Sequence, residues 1–242
     1  MMRRVVLLLL FSAAMQAKAQ QVGAPPAERE QGWSGKAALG YLATSGNTES
    51  SSLNTGFALA YGVGRWTHSL EAGAINASQD EVTSAEAYTL GWKSEFNMTD
   101  RDFLFGRVDW RKDRFSGYEQ QLIESLGYGR RLIDTGVHFL DAEIGAGGRQ
   151  ADLVDGTEEE EFIVRGGLSY QWKFSETAAF TQDFVVESGA ENTYGESISA
   201  IKTSLIGNLA LVASYTIKRN SVVPPGSEKT DIFTALALEY AF

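Results

Sequence analysis

From Gly32 to the C-terminus, apolar and polar positions alternate with a period of two, while the 3.6-residue period of a helix is weak. That alternation predicts strands at Trp33–Ala43, Leu53–Val63, Trp66–Ala77, Ala85–Asn97, Asp102–Arg111, Gln121–Ile133, Val137–Gly147, Glu161–Lys173, Thr177–Glu187, Tyr194–Ile206, Leu209–Arg219 and Thr230–Phe242. The segments between them also alternate. TSGNTESSS, SQDEVTS, the stretch around DRFSGYEQ, RQADLVDGTEEE, SGAENT and NSVVPPGSEK are longer and polar, whereas GVGR, MTDR, DTG, FSE and GN are tight. Long loops at one end and short turns at the other are the habit of bacterial membrane barrels, and a soluble sandwich has no reason for it.

The two faces of each strand differ in kind. In the last one, Ile232, Thr234, Leu236, Leu238, Tyr240 and Phe242 oppose Phe233, Ala235, Ala237, Glu239 and Ala241. In the eighth, Phe162, Val164, Leu168, Tyr170 and Trp172 oppose Ile163, Arg165, Ser169, Gln171 and Lys173. A water-soluble barrel of opposite polarity would also alternate. Glycine and alanine standing beside charges, however, make a poor solvated face and a good crowded interior. The expectation is therefore an all-β protein: a transmembrane, antiparallel, up-and-down barrel of about twelve strands, apolar stripe towards lipid. An even strand number returns both termini to the short-turn, periplasmic side. Two places fit badly. The tenth strand puts Ser197, Ser199 and Thr203 on the face of Ile201 and Leu205, and the sixth puts Glu124 on the lipid side, tolerable only near an interface.

The N-terminus sets the compartment. Met1, Met2, Arg3 and Arg4 precede an apolar run from Val5 to Ala14, and Ala17-Lys18-Ala19 supplies a small-x-small cleavage pattern. A bilayer-spanning helix needs roughly 20 apolar residues, about twice that run. Residues 1–19 read as a secretory signal peptide, 20–31 as a polar periplasmic tail with Pro25 and Pro26, and 32–242 as the barrel. No later stretch could be a membrane helix, and a closed barrel is the other structure whose backbone is satisfied in lipid. Losing Arg3, Arg4 and Lys18 leaves 18 basic against 31 acidic residues and takes the net charge from −10 to −13, which disfavours nucleic acid as a partner. Without cysteine there is no disulfide framework. The 25 glycines and four prolines suit β-structure, with Pro224 and Pro225 in a loop.

Two segments carry a family resemblance. The ending ALALEYAF, closing on Phe242, resembles the C-terminal signal that the barrel-assembly machinery reads in outer-membrane proteins. LGYLATSGNTESSSLNTGFALAY, Leu39 to Tyr61, with Ser45-Gly46-Asn47-Thr48 between two amphipathic strands and then Leu53, resembles the opening hairpin of the YdiY-like family of outer-membrane proteins described as salt-induced, a domain of unknown function. The similarity extends over residues 33–242. It implies an outer-membrane barrel, a link to envelope or salt stress, and no established activity. The Gly-Asn pair itself reads as a turn.

Charges on the polar face are the candidate site: Lys36, Glu71, Lys93, Glu95, Arg107, Asp109, Arg111, Arg131, Asp141, Glu143, Arg165, Asp183, Lys202 and Lys218, with Lys173, Glu187 and Glu239. Inside a narrow barrel they would face one another, either as a structural salt-bridge network or as the lining of a narrow polar channel. Twelve strands lie between the eight that side chains can plug and the 16–18 that leave a pore, and a mainly structural network is the favoured expectation. Asp152, Asp155, Glu158, Glu159, Glu160 and Glu161 read as a solvated external loop, with weak divalent-cation binding as the alternative, because the spacing is not that of an EF-hand. Only His68 and His138 could serve as catalytic bases; both fall on the lipid face, and GxSxG, HExxH and phosphate-loop motifs are missing. No catalysis, cofactor or metal is expected. The partners expected are outer-membrane lipids, lipopolysaccharide and the assembly machinery. A surface-binding protein acting through its loops is the alternative, and an outer-membrane hydrolase a more distant one.

Overall fold

The computed structural model describes residues 31–44, 50–79, 82–113, 118–223 and 228–242. The leader, all but the last residue of the tail, and the Ser45–Thr48 motif lie outside them. Twelve strands run β1 Gly32–Thr44, β2 Ser50–Val63, β3 Trp66–Gln79, β4 Val82–Asn97, β5 Asp102–Asp113, β6 Tyr118–Asp134, β7 His138–Leu153, β8 Glu158–Lys173, β9 Ala178–Ser188, β10 Thr193–Ile206, β11 Leu209–Asn220 and β12 Thr230–Ala241. Each is antiparallel to its neighbours, and β12 pairs back onto β1 to close a barrel. The closing seam is short. It registers Lys36↔Ala241 to Leu39↔Leu238, extended by reciprocal backbone hydrogen bonds of 2.8 Å between Gly35 and Phe242.

At the short-turn end, sequence and structure agree to within a residue or so. Gly64 and Gly207 begin the tightest connections, with φ of 58° and 54°, the left-handed region that glycine enters without steric cost. At the other end the strands overrun the expected loops. β7 continues past Gly147 to Leu153 and β8 begins at Glu158, so RQADLVDGTEEE is mostly ladder closed by a turn at 154–157, not a long loop. Within that turn the Asp155 carboxylate accepts the Thr157 N–H at 2.9 Å, and this bond holds its pKa below the usual carboxylate range. Polar residues continue a ladder as well as apolar ones do, because its bonds are made by the backbone. The 221–229 connection stays long.

Register assigns the faces. Lys36, Ala58, Glu71, Gly91, Asp109, Ile123 and Arg149 stand opposite one another in turn from β1 to β7 on the inward side. The outward positions carry Leu39, Leu70, Leu90, Leu104, Leu126, Ile144, Phe162, Leu168, Ile201, Leu236 and Leu238, all exposed. A row of that size left uncovered is incompatible with water on the outside. Rings gather outward at the short-turn end: Trp33 against Tyr61, Trp66 against Phe96, and Trp172 against Phe174. Glu124, also outward and exposed, sits one outward position from Leu122, the partner of Trp110, and hence towards the long-loop end.

Candidate functional site

The interior is two regions, set apart by the volume of the side chains that point inward. On the β4–β8 side they are large. Phe103 (1% exposed), Phe105, Ile123 and Ile163 fill the wall, and ion pairs are threaded between them. Lys93 bonds Glu143 across two intervening strands and Glu95 at 2.7 Å, with Phe103 and Phe105 rings 5.4 and 5.2 Å from its ammonium. Arg131 donates to Asn97 at 2.9 Å, lies 3.8 Å from Glu95, stacks over Phe103 at 4.8 Å, and faces Asp141 across the β6–β7 ladder. Nearer the long-loop end, Arg149 donates through Nε to Glu161 at 2.8 Å and through Nη2 to the Asn192 carbonyl at 2.6 Å. Glu187, with no exposed surface, accepts both Nη atoms of Arg111 at 2.9 and 3.0 Å and also binds Arg165.

On the β9–β3 side the inward residues are small. Ala38, Gly56, Ala58, Gly73, Ala179, Ala200, Ser204 and Ser214 leave a cavity of about 640 Å³. It runs from the short turn at Ser175, Glu176 and Thr177 up to Arg111, Glu196 and Lys218. Its basic residues Lys36, Arg107, Arg111, Lys173, Lys202 and Lys218 are matched in number by Glu71, Asp109, Glu176, Asp183, Glu196 and Glu239. Glu239 holds Lys202 at 2.6 Å and lies 3.7 Å from Lys36; Arg107 holds Asp109 at 2.5 Å; Asp183 accepts the Ser169 hydroxyl at 2.6 Å. A smaller pocket of about 50 Å³ lies towards the opposite rim, lined by Tyr118, Gln121, Tyr194, Asn220 and Asp231. The two spaces share Ala87, Thr89, Arg111, Glu196 and Lys218. Arg111, clamped by Glu187 and stacked 4.4 Å over Tyr194, therefore stands at the junction.

The single set of inward charges read from the sequence is thus divided. Lys36, Glu71, Arg107, Asp109, Arg111, Asp183, Lys202 and Lys218 line the cavity; Lys93, Glu95, Arg131, Asp141, Glu143 and Arg165 belong to the packed side. Sequence reasoning missed Arg149, Asn192 and Glu196 and took Glu161 for part of a solvated loop. Glu161 instead points inward onto Arg149. The parity that marks Gly145 and Gly147 as inward reaches Arg149 once the strand is allowed to continue. Among the described residues, no group of three or more His, Cys, Asp or Glu is placed to hold a metal. His68 and His138 are outward and separate. His68 stacks on Trp66 and Trp92, and His138 on Tyr170 and Trp172, with Nδ1 bonded to Ser94 Oγ and Tyr170 OH at 2.6 and 2.8 Å respectively.

The model of the family described as a protein of unknown function, DUF481, matches residues 37–242. The chain belongs to this family. It is 35% identical over 217 residues, 89% of its own length and 86% of the relative's, to the uncharacterized protein YdiY of Escherichia coli K12. Three solved barrels share the DUF481 chain's fold at low identity. An outer-membrane channel from Pseudomonas putida F1 has a TM-score of 0.54 at 12% identity, covering 92% of this chain and all of that one. The NanC porin has 0.51 at 8%, covering 85% and 97%. The translocator domain of the autotransporter NalP from Neisseria meningitidis has 0.51 at 12%, covering 88% and 90%. The fold is that of an outer-membrane β-barrel.

Proposed function

We propose that this protein resides in the bacterial outer membrane and passes small polar solutes through the β9–β3 side of its lumen, without catalysis. The observation that carries the reading is the 640 Å³ cavity lined by small residues and by equal numbers of opposite charges. Equal numbers of each sign leave little net potential, so the passage discriminates weakly between anions and cations and admits neutral or zwitterionic solutes that fit. Arg111 narrows the path where the two spaces meet. The packed side serves stability, as the sequence led one to expect of the whole lumen.

The short turns then face the periplasm, and the ring of tryptophans, tyrosines and phenylalanines sits at headgroup depth. Lipopolysaccharide at the outer leaflet, recognition of the strand ending at Phe242 by the assembly machinery, and a role under salt stress belong to the same proposal. Purified protein in a planar bilayer tests the channel: steps of sub-nanosiemens size with weak ion selectivity are expected. A refolded, heat-modifiable barrel that gives no steps would refute it.

A further inference from the structure

We infer that the lumen also opens sideways into the outer leaflet, between β1 and β12, and that this slot takes a single-chain amphiphile with an anionic head. The inference goes beyond the axial passage but rests on the same two readings, an outward belt in lipid and a cavity that holds water. β1 registers with β2 along its whole length, and β12 with β11 from Thr230 to Tyr240. Across the seam the two strands are joined only from Gly35 to Leu39 on β1 and from Leu238 to Phe242 on the other side. Bonded pairs of an antiparallel ladder recur at every second residue, so the reciprocal bonds of Gly35 with Phe242 put the next rung above Leu39↔Leu238 at Tyr41 and Leu236. No pairing joins those two, or any described residues above them, across the seam. At this level the Leu236 carbonyl rests against the inward side of Gly40, 2.5 Å from where a Cβ would stand. The wall folds sharply there, and beyond the fold the two edges run unpaired.

The unpaired stretch lies within the belt. Tyr41, Leu236 and Ile232, on its two flanks, are exposed apolar residues, and the stretch is on the long-loop side of the paired seam, towards the outer leaflet. Hydrocarbon bonds none of the N–H and C=O groups along such edges. The lumen stands directly behind them. Val212, Ser214 and Thr216 of β11, the partners of Ala237, Ala235 and Phe233, line the 640 Å³ cavity, as does Asn54 of β2, the partner of Gly40. Lumen water satisfies the edges, which makes the slot a polar cut through an apolar wall. A ligand that uses both sides has its head in the lumen and one apolar chain in the leaflet. Charge at the foot of the slot chooses the head. Lys36 on β1 and Lys202 on β10 share the single carboxylate of Glu239 on β12, at 3.7 and 2.6 Å, a local excess of one positive charge. Their side chains keep 35 and 34% of their surface exposed, so both ammonium groups can still receive a carboxylate or a phosphate.

The chain has no cysteine, so each introduced cysteine is the only thiol in the full protein. Three variants are reconstituted in phospholipid vesicles: Ser214→Cys behind the slot, Thr89→Cys on the cavity wall formed by β4, and Leu70→Cys in the outward belt. A maleimide tethered to a phospholipid acyl chain should label Leu70→Cys and Ser214→Cys and spare Thr89→Cys, while a small water-soluble maleimide labels both lumen thiols. Dodecanoate or dodecyl phosphate, below its micelle concentration, should slow aqueous labelling of Ser214→Cys several-fold, and dodecyltrimethylammonium should not. Whichever anion protects better tells a carboxylate head from a phosphate head. Ser214→Cys untouched by the tethered reagent, with Leu70→Cys labelled and both lumen thiols open to water, overturns the lateral opening alone. Labelling of Thr89→Cys by the tethered reagent as fast as Ser214→Cys overturns entry at the seam. Protection by neither anion, or equally by the cation, overturns the ligand class. Unlabelled Leu70→Cys overturns the membrane reading, and lumen thiols closed to the aqueous reagent overturn the water-holding cavity. If Ser214→Cys loses its heat-modifiable gel shift, Thr216→Cys takes its place.

Discussion

The β4–β8 and β9–β3 sides of the lumen both carry inward charge and use it in opposite ways. Around Lys93, Arg131, Arg149 and Glu187, neighbouring Phe and Ile side chains exclude water, so each charge must find its partner inside the protein. Around Lys36, Asp183 and Lys202, the neighbours are Ala, Gly and Ser, and water reaches the charges. Glu187 has no exposed surface, whereas Asp183, two inward positions along the same strand, is exposed to the lumen. What separates structural charge from lining charge is the bulk beside it.

Substitutions that treat the two sides alike should have unlike effects. The largest is expected at Glu187. Glu187→Leu leaves Arg111 and Arg165 buried without their carboxylate and should cost about 3–5 kcal/mol, read as a lower urea midpoint for barrel unfolding in detergent or vesicles. Removing a lining charge, Asp183→Asn, should shift that midpoint by well under about 1 kcal/mol; an equal shift would erase the distinction. Next comes overpacking. A Cβ at Gly129 would run into the Phe103 ring, so Gly129→Ala should destabilise by about 1–3 kcal/mol and leave conductance unchanged.

The reverse pattern is expected at Ala200, where Ala200→Trp fills the cavity. Conductance should fall by more than about half while the unfolding midpoint holds, since the ring enters open space. Arg111→Ala joins the two spaces and should raise conductance, with a smaller stability loss than Glu187→Leu because Glu187 keeps Arg165. The smallest effect is at the rim. Asp155 has a depressed pKa, so its contribution is complete above the usual carboxylate range and is lost as pH falls through its lower folded value. As pH falls below the usual carboxylate range, a reduced protection factor at the Thr157 amide, the intrinsic exchange rate divided by the observed rate at the same pH, should report the loosened turn while the barrel itself stays folded.

Legibility in the sequence also differed between the two ends of the barrel. Short-turn boundaries such as Val63/Trp66 and Ile206/Leu209 were readable because alternation stops there at turn residues, Gly64-Arg65 and Gly207-Asn208. Long-loop boundaries were not. Gln150, Asp152 and Glu160 are polar outward positions in a ladder that continues beyond the apolar belt, and composition alone makes such residues resemble loop. That misreading hid Arg149 and Glu161, one of the least exposed ion pairs in the protein.

The strand count, the antiparallel order and the face taken by each residue within the apolar belt were determined by the sequence alone, because the side-chain period of two is a local property of the pleat. Which inward residues meet was decided only by tertiary structure. Lys93 reaches Glu143 and Arg111 reaches Glu187 across the barrel, at separations of 50 and 76 residues. Those encounters depend on barrel closure and stagger, to which every strand contributes, and on whether a phenylalanine or an alanine occupies the space between.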